Sequence, residues 1–313
     1  MPEWKILLTD GIDESGKAIL QEKAQVDDRP GISPEELLQV VGDCDALVVR
    51  GRTQVTGEVL DAAKKLKVIG RAGVGVDNID LAAATQHGVT VVNAPTSTTL
   101  AVAELVLGLM FSLARNIPRA DADMKSGQWT KKELKGVELN GKVLGVIGMG
   151  NIGSAVAERA AALGMQVIGY DPLLDAREIQ ARGAEPVGLD DVYARSDFIT
   201  LHVPLNPETR GMIGGQQFGR MRRGVYILCT ARGGVIDETA LLGALETGQV
   251  AGAALDVYAK EPPGLTALVA HPNVVATPHI GAQTEEAQER ASQSIAEEVL
   301  AALQGEPLRW KVV

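Results

Sequence analysis

Lys142-Val143-Leu144-Gly145-Val146-Ile147-Gly148-Met149-Gly150-Asn151-Ile152-Gly153 is the stretch on which the fold turns. Residues 143–147 are an apolar run of strand length, and three glycines at G-x-G-x-x-G spacing follow directly. Gly148 permits a tight turn, Gly150 lets an anionic ligand approach the backbone, and Gly153 lets the helix that opens here pack close to the strand. That helix is read from Ile152, directly after Asn151, and its unbonded first N–H groups favour a phosphate. The next apolar run, residues 166–170, ends in Asp171. A carboxylate there accepts hydrogen bonds from ribose hydroxyls and repels a 2′-phosphate, and Pro172, Leu173 and Leu174 supply no cation to hold one. Strand, glycine turn, helix and acid in this order predict a site for NAD rather than NADP.

Outward from this unit the pattern is strand, helix, strand. Apolar runs at 5–9, 46–49, 67–70 and 90–93 alternate with helical stretches. Ser33-Pro34-Glu35-Glu36 reads as an N-cap, a first-turn proline and two acids favoured by the helix dipole, and Thr56 caps another helix. A long helix over 101–115 interrupts the rhythm, an irregular basic stretch runs to Lys142, and a final helix covers 285–303. Apolar strands alternating with amphipathic helices imply parallel sheets covered on both faces. The expectation is an α/β protein of two doubly wound parallel-sheet domains. A Rossmann-type domain over 98–282 is inserted into a flavodoxin-like domain made of 1–97 and 283–313. Gly73-Val74-Gly75 lacks a third glycine, since Asn78 stands there, and reads as a turn that offers amides to a carboxylate.

Composition narrows the function classes. A net charge of −10 and 3% aromatic residues disfavour nucleic acid, which needs a basic face and stacking platforms. The longest apolar segment, 100–114, contains Glu104 and is too short to span a bilayer. Met1-Pro2-Glu3-Trp4 lacks the basic and apolar regions of a leader. Two cysteines, Cys44 and Cys229, show no metal-like spacing and suit a reducing compartment. No metal site, no nucleic-acid partner, no membrane and a cytoplasmic location are expected. Among four histidines, His87 reads as a helix C-cap, His271 as a solvated turn residue, and His202 as either a structural residue or part of a cofactor cleft. His279 lies just past an apolar run at 273–276, and ligand chemistry in open parallel sheets gathers at such carboxyl ends.

The segments Arg232-Gly233-Gly234, Asp256-Val257-Tyr258-Ala259-Lys260-Glu261-Pro262 and Thr277-Pro278-His279-Ile280-Gly281-Ala282 resemble the signatures of the D-isomer-specific 2-hydroxyacid dehydrogenases. Arg50-Gly51-Arg52-Thr53, the run 70–78 and Glu138-Leu139-Asn140-Gly141-Lys142 resemble the N-terminal half of members that act on a phosphorylated hydroxy acid. The resemblance implies NAD as cofactor, a small anionic 2-hydroxy or 2-oxo acid as substrate and a homodimer built through the nucleotide-binding domains. It implies His279 as the acid–base group, Glu261 as the carboxylate that orients it, and Arg232 as the partner of the substrate carboxylate. Cofactor contacts are implied for Gly148, Gly150, Asn151, Ile152, Gly153, Asp171, Pro172, His202, Pro204, Thr209, Cys229, Ala231, Arg232, Asp256, His279 and Gly281. Substrate contacts are implied for Arg50, Arg71, Val74, Gly75, Arg232 and His279, with Arg52, Lys131 and Lys132 as further candidates. Thr98 departs from the asparagine usual in relatives. Many of those relatives append a regulatory domain that these 313 residues lack, so control through one is not expected. Members acting on lactate, glycerate, glyoxylate or hydroxypyruvate remain alternatives, as does an NAD-sensing corepressor. Formate dehydrogenases carry glutamine where Glu261 stands.

Overall fold

Every residue of Ala46–Val49 is buried, as a strand covered on both faces requires, and this segment sits at the centre of the first of two parallel sheets. The computed structural model describes residues 4–313, so Met1–Glu3, most of the segment read as lacking the features of a leader, lie outside the described residues. The chain folds into two compact units. One holds the chain as far as Thr99 and again from Ala282, and the other is Leu100–Gly281, so the second interrupts the first in sequence.

In the first unit, strands β1 (Trp4–Leu8), β2 (Ala24–Asp28), β3 (Ala46–Val49), β4 (Val68–Arg71) and β5 (Thr90–Asn93) lie in the order β2-β1-β3-β4-β5. That is the flavodoxin-like order. Ser33 and Glu36 complete a capping box, and Thr56 and Asp80 cap the next two helices. The helix Glu285–Gln304 packs on β4, where Gly70 leaves the room. A Cβ there would stand 2.5 Å from Val299 Cγ2. β2 was not anticipated, because Ala-Gln-Val-Asp-Asp is largely charged or polar. It sits at the sheet edge, where such residues are tolerated.

In the second unit, β6 (Val143–Ile147), β7 (Gln166–Tyr170), β8 (Glu185–Pro186), β9 (Phe198–Leu201), β10 (Val225–Cys229), β11 (Val250–Leu255) and β12 (Val274–Ala276) form one parallel sheet. Their order is β12-β11-β10-β9-β6-β7-β8. Counted from β6, this is the Rossmann order with one strand added, and its topological switch point falls between β6 and β9. The helix Thr99–Arg115 buries Ala103, Val106 and Met110 in the core beneath Leu144, Phe198 and Leu228. Part of the stretch read as irregular is the helix Ile117–Lys125. It buries no residue, so no apolar period marks it, and Asn116 at φ 53° separates it from the helix before. No single helix among the described residues is long and apolar enough to cross a membrane.

Candidate active site

The glycine turn sits at the switch point. Gly148 has φ 92°, and a Cβ on it would meet the His202 carbonyl carbon at 2.7 Å. A Cβ on Gly150 would meet nothing within 4 Å, so the loop is open on that side. Gly150 is the N-cap of the helix Asn151–Ala162 and offers no side chain to its first amides, which stay available to an anion. Asp171 accepts the Met149 N–H at 2.9 Å through Oδ2 and the Leu173 N–H at 2.9 Å through Oδ1. A carboxylate has about four lone-pair sites, so two remain for ribose hydroxyls. Arg182 Nη1 donates to the Met149 carbonyl at 2.6 Å and ties the same residue from its other side. An open glycine cradle, uncapped helix amides and an acid at the end of the second strand fit a dinucleotide.

Three further candidates leave the carboxyl ends of neighbouring strands: Arg232 after β10, Glu261 after β11 and His279 after β12. His279 Nδ1 lies 2.7 Å from Glu261 Oε2. An ionised carboxylate only accepts, so Nδ1 carries the proton and Nε2 is the acceptor of the neutral ring. The His279 side chain is 52% exposed and so open to a ligand. Its backbone has φ 54°, which is costly for a residue with a Cβ, and Asp256 holds it there. Asp256 accepts from Thr277 Oγ1 at 2.7 Å, Ile280 N–H at 2.8 Å and Gly281 N–H at 2.9 Å. Arg232 Nη1 donates to the Ala231 carbonyl at 2.6 Å.

Several of the implied cofactor contacts have partners within the protein. Asp256 is fully buried, and its carboxylate serves the His279 segment. Cys229 is buried too, and desolvation pushes its thiol up to about 11, leaving an inert group. Thr209 spends its hydroxyl on the Pro204 carbonyl at 2.6 Å within its own turn. His202 Nε2 lies 2.9 Å from Thr200 Oγ1, and burial pushes the ring down to about 4, so it is neutral near pH 7. His87 caps its helix as expected, while His271 accepts the Asn273 N–H through Nδ1. Pro172 is exposed beside Asp171. Thr230 was missed: its hydroxyl is buried at the end of β10 without a hydrogen-bond partner among the described residues. The carboxyl end of a strand was the one available signal.

In the first unit, Asp10 organises the Arg50–Thr53 turn by accepting the N–H groups of Arg50 (2.7 Å) and Thr53 (3.1 Å). Arg52 pairs with Asp10 and donates to the carbonyls of Thr9 and Ile32, while its side chain stays 49% exposed. The Arg50 guanidinium has no ion pair or hydrogen bond among the described residues, and burial lowers its pKa from the ordinary value. Arg71 folds its guanidinium over Gly73, where a Cβ would stand 1.5 Å from Nη1. Gly73 N–H bonds to the Arg71 carbonyl, and the Val74 carbonyl accepts from Asn93 Nδ2 at 2.7 Å. Lys131 and Lys132 are exposed.

A Rossmann unit with an oriented histidine at its strand ends defines the class as nucleotide-dependent oxidoreductases. Residues 107–281 match the family model for the D-isomer specific 2-hydroxyacid dehydrogenase, NAD binding domain, and the chain belongs to this family. It is 51% identical over 303 residues to D-3-phosphoglycerate dehydrogenase of Methanocaldococcus jannaschii, covering 96% of this chain and 58% of that one. The chain thus spans little more than half the length of the curated relatives it matches. A glyoxylate reductase from Paecilomyes thermophila superposes with a TM-score of 0.91 at 33% identity, covering 100% of this chain and 99% of that one. D-lactate dehydrogenase from Aquifex aeolicus, complexed with NAD and lactic acid, gives 0.84 at 29% identity over 96% of each chain.

Proposed function

We propose that the protein is an NAD-dependent D-3-phosphoglycerate dehydrogenase that oxidises 3-phosphoglycerate to 3-phosphohydroxypyruvate, the first step of the phosphorylated serine pathway. Bound NAD supplies a hydride acceptor. Arg232 holds the substrate carboxylate with a planar fork that matches a planar anion. His279 Nε2 takes the proton from the C2 hydroxyl, and Glu261 keeps the ring in the tautomer that can do so. The observation that carries the phosphate is Arg50. A partly buried guanidinium with no ion pair or hydrogen bond among the described residues, and with Asp10 only partly offsetting its burial, is desolvated at a cost that a dianionic ligand would offset. Arg71, Val74 and Gly75 are assigned to the same substrate.

A substrate panel tests the reading. With NADH, phosphohydroxypyruvate is expected to exceed hydroxypyruvate, glyoxylate and pyruvate in kcat/KM by at least ~2 kcal/mol, and Arg50→Ala is expected to erase most of that margin. Preference for glyoxylate would move the enzyme to another branch of the same family, which the likeness to a glyoxylate reductase makes the second reading. A homodimer through the nucleotide-binding unit belongs to the proposal. Support comes from exposed apolar side chains at Phe111, Ile117, Met124 and Trp129, the last 77% exposed. A cytoplasmic location completes it, supported by two buried thiols, Cys44 and Cys229, that form no disulfide.

A further inference from the structure

The loop that carries Glu261 is gripped from outside the Arg232, Glu261 and His279 set. Glu261 uses its second oxygen, Oε1, to accept the Tyr258 N–H at 3.1 Å. Tyr258 shares its hydroxyl proton between the carbonyls of Leu255 and Thr277, both at 3.0 Å, which joins the ends of β11 and β12. The peptide between Tyr258 and Ala259 is then held on two sides by residues 232–238. On one side the Arg232-Gly233-Gly234 turn lies against it. A Cβ on Gly233 would stand 1.7 Å from the Tyr258 carbonyl oxygen and 2.8 Å from the Ala259 nitrogen. On the other side Glu238 Oε1 accepts the Ala259 N–H at 2.6 Å.

Glu238 is the first residue of the helix Glu238–Glu246, a position where an acid usually serves its own helix. Here Asp237 is the N-cap and takes the N–H groups of Thr239 and Ala240, which leaves the Glu238 carboxylate to reach the neighbouring loop. The Gly233 turn and the Glu238 side chain thus both hold the loop that carries Glu261 next to the Arg232 segment.

We propose that Glu238 is a positioning residue: it fixes the loop that carries Glu261, and through Glu261 the ring of His279, against the Arg232 turn. The proposal rests on the acid–base reading of His279 and is independent of whether the substrate is phosphorylated. Ala259 is exposed, so water replaces a lost acceptor there and the fold survives removal of Glu238. What is lost is precision at the Nδ1 hydrogen bond.

The test compares Glu238→Ala and Glu238→Gln with the unmodified full chain. Glu238→Ala is expected to lower kcat on the order of tenfold while the NADH dissociation constant stays within about twofold. In nucleotide-free protein labelled with ¹⁵N-histidine, the His279 Nδ1 signal, assigned by its loss in His279→Asn, is expected to move and exchange faster with water. Glu238→Gln keeps a carbonyl acceptor for the Ala259 N–H and is expected to recover most of kcat and the original signal. Glu238→Ala with kcat within twofold and an unmoved His279 signal overturns the proposal. So does a glutamine variant as impaired as the alanine one, or a fall in NADH affinity and Tm that tracks the fall in kcat. Activity is read with phosphohydroxypyruvate and with glyoxylate. If the unmodified protein reduces neither, the proposed function fails, and the histidine signal alone still decides on Glu238.

Discussion

Asp171 shapes the glycine turn, and the proposed cofactor choice rests on the same side chain. Its two oxygens hold the N–H groups of Met149 and Leu173, which leaves lone pairs that could accept ribose hydroxyls. A 2′-phosphate would bring like charges together and forfeit the ribose hydrogen bonds, a penalty of about 2–4 kcal/mol. NAD is therefore expected to be preferred over NADP by well over tenfold in kcat/KM. Asp171→Ala is expected to narrow the preference chiefly by weakening NAD, since the Met149 amide loses its acceptor as well. Equal use of both cofactors by the unmodified protein would contradict the reading. Arg50 and Arg52, two residues apart, show the opposite case. Nothing in their types separates a half-exposed guanidinium that pairs with Asp10 from one that burial desolvates without an ion pair among the described residues.

At the scale of elements, β6 and β9 meet at the switch point, where the His202 N–H bonds to the Ile147 carbonyl at 2.8 Å just before the glycine turn. The His202 ring is desolvated there and its pKa falls to about 4, from an ordinary value of ~6.5. The sign follows from proton counts. Between about pH 6.5 and pH 4 the unfolded chain binds a proton at this residue that the folded chain refuses, so stability falls as pH drops through that window. The loss is complete below pH ~4 and amounts to something on the order of 3 kcal/mol. Urea denaturation at pH 7, 5.5 and 4 is expected to show this slope, and His202→Gln to flatten it. A slope unchanged in the variant would assign the acid sensitivity to other groups.

The whole molecule consists of two sheets with separate cores, and the chain closes the first of them last. Glu298, with its side chain 2% exposed, accepts from Arg309 Nε at 2.7 Å and from the N–H groups of Arg309 and Trp310, both at 3.1 Å. This clamp lets Lys311 bridge Val92 antiparallel to β5, so the tail covers a sheet edge. Glu298→Ala leaves two backbone donors without their acceptor and is expected to cost about 1–3 kcal/mol of unfolding free energy. Chemical denaturation measures it. A loss below ~0.5 kcal/mol would show that the tail is held by its strand pairing alone.

The alternation of strands and helices, the glycine turn with its acid, and the family's signature segments are all legible in the order of the residues. Each of these is local: periodicity, turn chemistry and caps are set within a few residues, so Val143–Ile147 and Gln166–Tyr170 read as strands before any fold is known. Helix Ile117–Lys125 does not, since it buries nothing and leaves no apolar period to read. Only the folded chain reveals that Arg52 pairs with Asp10, that Asp256 supports the His279 segment, and that Glu238 reaches the Ala259 amide. Those contacts join residues about 20 to 40 positions apart. Strand order and register bring them together, and neither is written in the types of the residues that meet.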